Sequence, residues 1–425
     1  MVNYFNSRWE LRPLGECLEF ISRGVPPKYV SKRDIAALNQ KAIRWGFIEE
    51  KHLKYHDSNK KIKDDLFIRK GDIVVNSTGD ITIGRAYYFK KGWPRLFADS
   101  HVTILRLNRN ILLPEFCIYL FPTQEYQTKI YGLVTGTTGQ LELSKNNLCK
   151  LEMIVPPLPI QQKIAAILSA YDDLIENNLR RIKILEEMAQ NLYREWFVKF
   201  RFPACAEASA GRPGHEKVKM VSSLLGKIPE GWGVKRLGDI CSILMGQSPK
   251  SEFYNTNGEG LPFHQGVTDF GERFPTTRVY CTFAGRIAET GDILCSVRAP
   301  VGRINLADHK IIIGRGLSAI RNLDGYQYFT FHQLKEIFKE EDIMGGGTIF
   351  KAVTKGDMER IECLYPPKEY LARFEKICLP IAEQLAVLSK KNCILRKTRD
   401  LLLPKLISGE LDVSELDIAI PEANA

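Results

Sequence analysis

The chain lacks any run of about eighteen apolar residues, the length a membrane-crossing helix requires, and its start, MVNYFNSRWE, has neither a basic stretch nor an apolar core for export. A soluble, cytoplasmic protein is the expectation. Its ten cysteines, scattered from Cys17 to Cys393, include no CxxC pair and no nearby histidines at zinc spacing, so they read as small reduced core residues rather than metal ligands or disulfides. No GxxxxGK[ST] phosphate loop occurs, and the run Gly345-Gly346-Gly347 reads as a turn. The acidic pair Asp64-Asp65, followed by Arg69-Lys70, reads as a solvated charged face rather than a nuclease centre. Neither catalysis nor a bound metal or cofactor is expected of this chain.

At 425 residues with 44% hydrophobic content, the chain can build two cores of ordinary size plus additional helix. Sixty Lys and Arg against fifty Asp and Glu give a formal net charge of +10. That excess points toward a polyanionic partner, because clustered cations gain affinity for phosphate by releasing condensed counterions.

The most informative feature is that the chain is written twice. Trp9, Leu14 and Gly15 of WELRPLG return as Trp232, Leu237 and Gly238 of WGVKRLG, 223 residues on. GDIVVNSTG from Gly71 returns as GDILCSVRAP from Gly291, and the IGR ending at Arg85 returns as the VGR ending at Arg303. The helix-like PEFCIYLFPTQEYQTKI matches YQYFTFHQLKEIFKE, each followed by a Gly/Thr-rich loop, VTGTTGQ and MGGGTIF. Each copy ends in a double proline, Pro156-Pro157 and Pro366-Pro367, where the offset has fallen to 210. A period this long excludes a solenoid and predicts two similar domains.

Beyond each double proline the apolar pattern changes to alternating steps of four and three. The first seam is Ile164, Leu168, Tyr171, Ile175, Asn178, Ile182, Leu185, Ala189, Leu192 and Trp196, opened by Pro159 in the first turn. The second is Phe374, Cys378, Ile381, Leu385, Leu388, Asn392, Leu395, Arg399, Leu402 and Leu406, with Pro404 and Gly409 marking its end. Seams this narrow call for a partner helix. A helix of about 37 residues is about 55 Å long at 1.5 Å per residue. Packed antiparallel, the two would bring Asn178 and Asn392 near each other to fix register at some cost in stability. The fold expected is α+β, with two similar domains joined by two long antiparallel coiled-coil helices and related by an internal pseudo-two-fold repeat. Such duplicated readers suit two half-sites on duplex DNA, with the helices setting their spacing.

Several landmarks together resemble the specificity subunit of type I restriction-modification systems: PPLPIQQKIAAIL, NLYREWFVKFRFP, PGHEKVK, GKIPEGW, GDILCSVRAPVGR and LLLPKLISGEL, in order and on a doubled plan. The resemblance covers essentially the whole chain. It implies a target-recognition domain over 1–158, a central spacer helix over 159–200, a linker over 201–223, a second target-recognition domain over 224–367, a second spacer helix over 368–412, and a tail over 413–425. It further implies double-stranded DNA as ligand, read as two halves of an asymmetric site, and two methyltransferase subunits docked on the helices, with restriction subunits joining through the complex. S-adenosylmethionine, ATP and magnesium would belong to those partners. The chain departs from the family where ACAEASAGRP intervenes between Pro203 and Gly214, an insertion of the kind loops tolerate. An adenine methyltransferase would also need an Asn/Asp-Pro-Pro-aromatic tetrapeptide, which VPPL and YPPK do not supply.

Side-chain chemistry narrows the candidate DNA contacts, since Arg and Lys reach guanine, Asn and Gln pair with adenine, and hydroxyls or loop amides hold phosphate. In the first domain these are Arg23, Lys28, Tyr29, Ser77, Thr78, Arg85, Thr137, Thr138 and Gln140. In the second they are Gln247, Ser248, Lys250, His264, Gln265, Arg298, Arg303 and Arg315. Asp72 and Asp292 are expected to stabilise the turn before a strand instead, because a carboxylate repels phosphate.

Overall fold

The computed structural model describes residues 9–31, 34–136, 141–202, 219–271, 273–283, 285–339 and 352–420. The chain divides into two compact units, one made of residues 1–177 and 392–425, the other of residues 178–391.

In the first unit the leading strand Glu10–Pro13 pairs antiparallel with Glu152–Val155, placing Glu10 opposite Val155. A four-stranded antiparallel sheet follows in the order Leu18–Arg23, Val102–Leu107, Ile73–Asn76, Ala86–Tyr88. The β-branched run Ile73-Val74-Val75 is buried on both faces of this sheet. Ile73 and Val75 join a core that includes Leu105 and Phe116, while Val74 joins a second core with Ile104 and Leu38. That second core is covered by Ile35–Leu38, which runs antiparallel to Lys54–His56 and parallel to Leu96–Ala98.

The second unit repeats the plan internally. Gly233–Arg236 pairs with Glu362–Tyr365, with Gly233 opposite Tyr365, which is the register of the first unit once offsets of 223 and 210 are applied. Its four-stranded sheet runs Cys241–Met245, Leu317–Asn322, Ile293–Ser296, Ile304–Leu306, the same order. Phe263 and His264 pair in parallel with Ile312 and Ile313.

Both sheets carry one electrostatic device. In the first, Asp72 accepts the Arg69 amide at 2.9 Å and holds the Arg106 guanidinium at 2.9 and 3.2 Å. In the second, Asp292 accepts the Glu289 amide at 2.8 Å and holds Arg321 at 2.7 and 2.9 Å. The two-pronged pairing of a planar guanidinium with a carboxylate fixes the turn against a neighbouring strand. Both aspartates are therefore structural, as their sign suggested.

The first long helix spans Leu158–Tyr193 and continues as a π turn over Arg194–Val198. The second spans Lys368–Ile407. None of the ten positions in either predicted seam is exposed. The segments of the two helices that share a unit run antiparallel: in the first unit Arg399 pairs with Asp172 and the Asn392 amide reaches the Ile175 carbonyl at 3.5 Å. In the second unit Ile182 packs with Leu385 and Leu388. The end of each helix also completes a core. Trp196 and Phe197 pack with Phe374 and Phe329 in the second unit, where Leu406 and Ile407, 210 residues on, pack with Ile164 and Leu168 in the first.

Two details depart from the sequence reading. Pro404 does not end the second helix, which continues to Ile407 with Ser408 still donating to the Pro404 carbonyl at 3.1 Å. Gly409, with φ of +74°, is the stop, in the left-handed conformation that follows many helices. The helix also runs through Pro380, whose missing N–H leaves the Lys376 carbonyl without its helical donor; both residues lie on the exposed side. Finally, PEFCIYLFPTQEYQTKI is two short helices, Pro114–Cys117 and Gln124–Gly132, because Pro122 interrupts it and Thr123 caps the second through the Tyr126 amide. Its counterpart is one helix, Gln327–Ile337.

Candidate nucleic-acid interface

The loops carrying most candidate residues converge on one rim of each four-stranded sheet, held by the same backbone bonds. In the first unit Gly24 donates to the Val102 carbonyl at 2.9 Å and Val25 to Ala98 at 3.2 Å. In the second, Gly246 donates to Leu317 at 2.9 Å and Gln247 to Ile313 at 3.0 Å. A Cβ on Gly24 would sit 2.0 Å from the Ala98 oxygen, and one on Gly246 2.2 Å from the Gly314 oxygen, so only glycine lets these chains close on each other. Ser77 donates to His101 and Leu143 to Ser77, at 2.9 and 2.8 Å; Val297 donates to Gly316 and Val353 to Val297, at the same distances. Thr78 bridges Glu142 as Arg298 bridges Ala352. The two rims thus share a backbone scaffold while their side chains differ.

In the second unit this scaffold gathers four candidates. Ser248 donates to the Gln265 side-chain oxygen at 2.8 Å and accepts the Arg315 amide at 3.2 Å, while Gln247 stands exposed beside it. Lys250 is exposed nearby, 3.8 Å from Glu252. Arg298 and Arg303 are exposed at the two ends of a turn that Ser296 pins, donating to the Pro300 carbonyl at 2.6 Å and accepting the Arg303 amide at 2.9 Å.

In the first unit Thr78 donates to the Gln40 side-chain oxygen at 2.7 Å and lies 2.8 Å from His101 Nδ1. Arg23, at the end of its strand, is engaged by the Ser100 carbonyl and by Glu142. Lys28 pairs with Asp57 at 2.7 Å, and Tyr29 beside it is largely exposed. Arg85 is half-buried at the start of the edge strand. Thr137, Thr138 and Gln140 lie outside the described residues.

Two candidates are corrected by burial. Ser77 is fully buried, with its hydroxyl bonded to that of Thr103, because the backbone bonds to His101 and Leu143 close over it. His264 is also fully buried; it occupies the strand position that Leu38 fills in the first unit. Neither ring nitrogen has a hydrogen-bond partner among the described residues, and Asp269 stands 3.8 Å from Nδ1. Burial lowers the basicity of His264, favouring the neutral ring. Neither side chain can reach a ligand from the folded state.

The sequence reading also missed residues. Gln40 and His101 belong to the Thr78 network. The available signal was the polar pair Asn39-Gln40 closing the apolar run IAAL, a strand end in the same relation to its sheet as Gln265 after LPFH. Asn178 and Asn392 are both buried within their helical seams. Among the described residues no group of three or more His, Cys, Asp or Glu is placed to hold a metal ion, and no helix is long and apolar enough to cross a membrane.

Residues 6–187 and 229–381 match the type I restriction modification DNA specificity domain family. The chain is 30% identical over 421 residues to a Methanocaldococcus jannaschii protein provisionally named the type I restriction enzyme MjaX specificity subunit, covering 95% of this chain and 94% of that one. It is 25% identical over 405 residues to the Haemophilus influenzae type I restriction enzyme HindI specificity subunit, covering 81% and 87%. The solved structure of a type I restriction-modification S subunit from M. genitalium shares the fold, with a TM-score of 0.63 at 19% identity over 96% of this chain and 99% of that one.

Proposed function

This chain belongs to the type I restriction-modification specificity family and carries two target-recognition domains, and on that premise we propose that it is the non-catalytic subunit that chooses where a restriction and methylation complex acts. Each domain reads one half of a bipartite, asymmetric DNA site. The recognition domains are residues 1–158 and 224–367; helices 159–200 and 368–412 set the spacer and dock two methyltransferase subunits; 201–223 links the halves and 413–425 forms a tail. Restriction subunits join through the complex. S-adenosylmethionine, ATP and magnesium act on the partners, in the cytoplasm, and the methyltransferase takes a flipped adenine from each half.

One observation supports this reading above the rest. The two rims share backbone bonds and glycine contacts in equivalent positions but carry different side chains, Thr78 and His101 on one, Arg298, Arg315 and Gln265 on the other. Phosphate contacts position a protein and base contacts specify sequence, so a common scaffold with divergent edges suits two readers of two different half-sites. The drift of the repeat agrees. Offsets fall from 223 to 210 within the recognition domains and stay at 210 from the double prolines onward, where both helices would meet the same kind of partner.

Exchange of residues 224–367 for those of another family member, followed by sequencing of methylated adenines, should change one half of the recognised site and leave the other intact. A change in both halves would contradict modular reading.

A further inference from the structure

On the reading proposed above, the structure contains a second level of detail at the two rims. We propose that Gln40 and Gln265 are specificity-determining residues, each presenting its side-chain N–H donors to a hydrogen-bond acceptor on the major-groove edge of one base.

The two glutamines do not occupy equivalent positions. Leu38 corresponds to His264 by strand pairing, which places Asn39, not Gln40, opposite Gln265 in the repeat. Yet the same environment is built around both. The Gln40 oxygen accepts the Thr78 hydroxyl at 2.7 Å, and the Gln265 oxygen accepts the Ser248 hydroxyl at 2.8 Å. Each amide also lies across a glycine: a Cβ at Gly79 would come within 3.0 Å of the Gln40 oxygen, and one at Gly314 within 2.6 Å of the Gln265 oxygen. Two different routes in sequence therefore reach one arrangement, in which an amide rests in a glycine cradle with its carbonyl engaged by a hydroxyl.

That arrangement decides which end of the amide is available. A free glutamine offers a donor and an acceptor and pairs with adenine through both. Here one hydroxyl already engages and holds the carbonyl, whereas no described residue accepts from either Nε2. The Ser248 hydroxyl also accepts the Arg315 amide, which leaves its single proton available for the Gln265 oxygen. The His101 ring beside Thr78 can supply the corresponding donor in the first unit. What each rim presents outward is thus a fixed NH2 group. Guanine offers it O6 and N7, adenine N7 and thymine O4, while the cytosine edge offers only a competing N4 donor. Cytosine is the base each glutamine excludes.

The test uses this full chain co-expressed with its methyltransferase subunits. The methylated motif of the wild-type complex is mapped first, then those of Gln40→Met and Gln265→Met, which keep side-chain length and remove the amide. Each variant should lose discrimination against cytosine at a single position, about 10-fold to 100-fold, in one half of the site for Gln40 and in the other for Gln265. Thr78→Val and Ser248→Ala should weaken discrimination at the same positions by releasing the carbonyl, and Thr78→Ser should restore it. Should a variant abolish methylation, competition between duplexes differing at single positions reads the same preference from binding. Unchanged base preference at every position in both methionine variants overturns the proposal. A wild-type complex that methylates no two-part motif overturns the reading beneath it instead.

Discussion

If the two long helices act as a ruler, shortening both should move the half-sites together by a calculable amount. Four residues removed from each helix, 175–178 in the first and 392–395 in the second, shorten it by about 6 Å and turn its end by about 40°, from 1.5 Å rise and 3.6 residues per turn. One base pair of B-form DNA advances about 3.4 Å and about 35°. Translation alone calls for about two base pairs and rotation alone for about one, so the spacer should contract by one or two base pairs. The two cuts meet where the helices pack antiparallel, at the layer in which Asn392 reaches the Ile175 carbonyl. Leu179 and Ile182 then move into the seam positions of Ile175 and Asn178, whereas Arg396 and Arg399 move into those of Asn392 and Leu395, so Arg396→Leu and Arg399→Leu accompany the cut to keep that layer apolar. Both half-sites should remain readable, because no rim residue is touched. The assay is sequencing of methylated adenines from cells carrying the shortened chain with its methyltransferase. An active complex with an unchanged spacer would refute the ruler. Cutting one helix alone should mismatch the seam and abolish activity.

The paired Asp–Arg devices give a comparative prediction. Asp72→Ala leaves Arg106, whose side chain is 14% exposed, with its nearest remaining carboxylate 4.0 Å away on Asp65, whereas Asp292→Ala leaves an Arg321 that is 53% exposed. The first should cost about 3 kcal/mol and the second about 1 kcal/mol of unfolding free energy, because a buried partner pays more for losing its counter-charge. Denaturant melts in the opposite order would contradict the electrostatic account. A third prediction concerns pH. Burial pushes the Glu375 carboxyl up to about 7, above its ordinary 4.5, while it accepts the Phe329 amide at 2.8 Å at the start of helix Gln327–Ile337. The folded state then binds more protons than the unfolded state between those values, so the contribution of this group is full below about 4.5 and is lost as pH rises toward 7, by at most about 3 kcal/mol. Glu375→Gln keeps an acceptor for the amide and should flatten that slope in urea melts between pH 5 and 8; an unchanged slope would assign it elsewhere.

Much of the architecture was legible because a duplicated sequence reads itself: GDIVVN and GDILCS had to be equivalent strands, and the four-three steps past each double proline had to be seams. The missed features depend on residues distant in sequence. Ser77 looks like a loop hydroxyl until residue 143 closes over it, and nothing near His264 announces that its position is a core position, as Leu38 shows in the other unit. Gln40 gains meaning only through Thr78, 38 residues on. Pro380 is tolerated because it falls on an exposed side of its helix, which periodicity places but propensity alone would forbid.

The central claim, two readers on one chain directing a partner's chemistry, is tested most directly by co-expressing this protein with its methyltransferase subunits and mapping every methylated adenine. The account predicts a single motif of two specified parts separated by a spacer of fixed length and unspecified sequence, with one modified adenine in each part. A contiguous motif, or methylation unaltered when this chain is omitted, would contradict it.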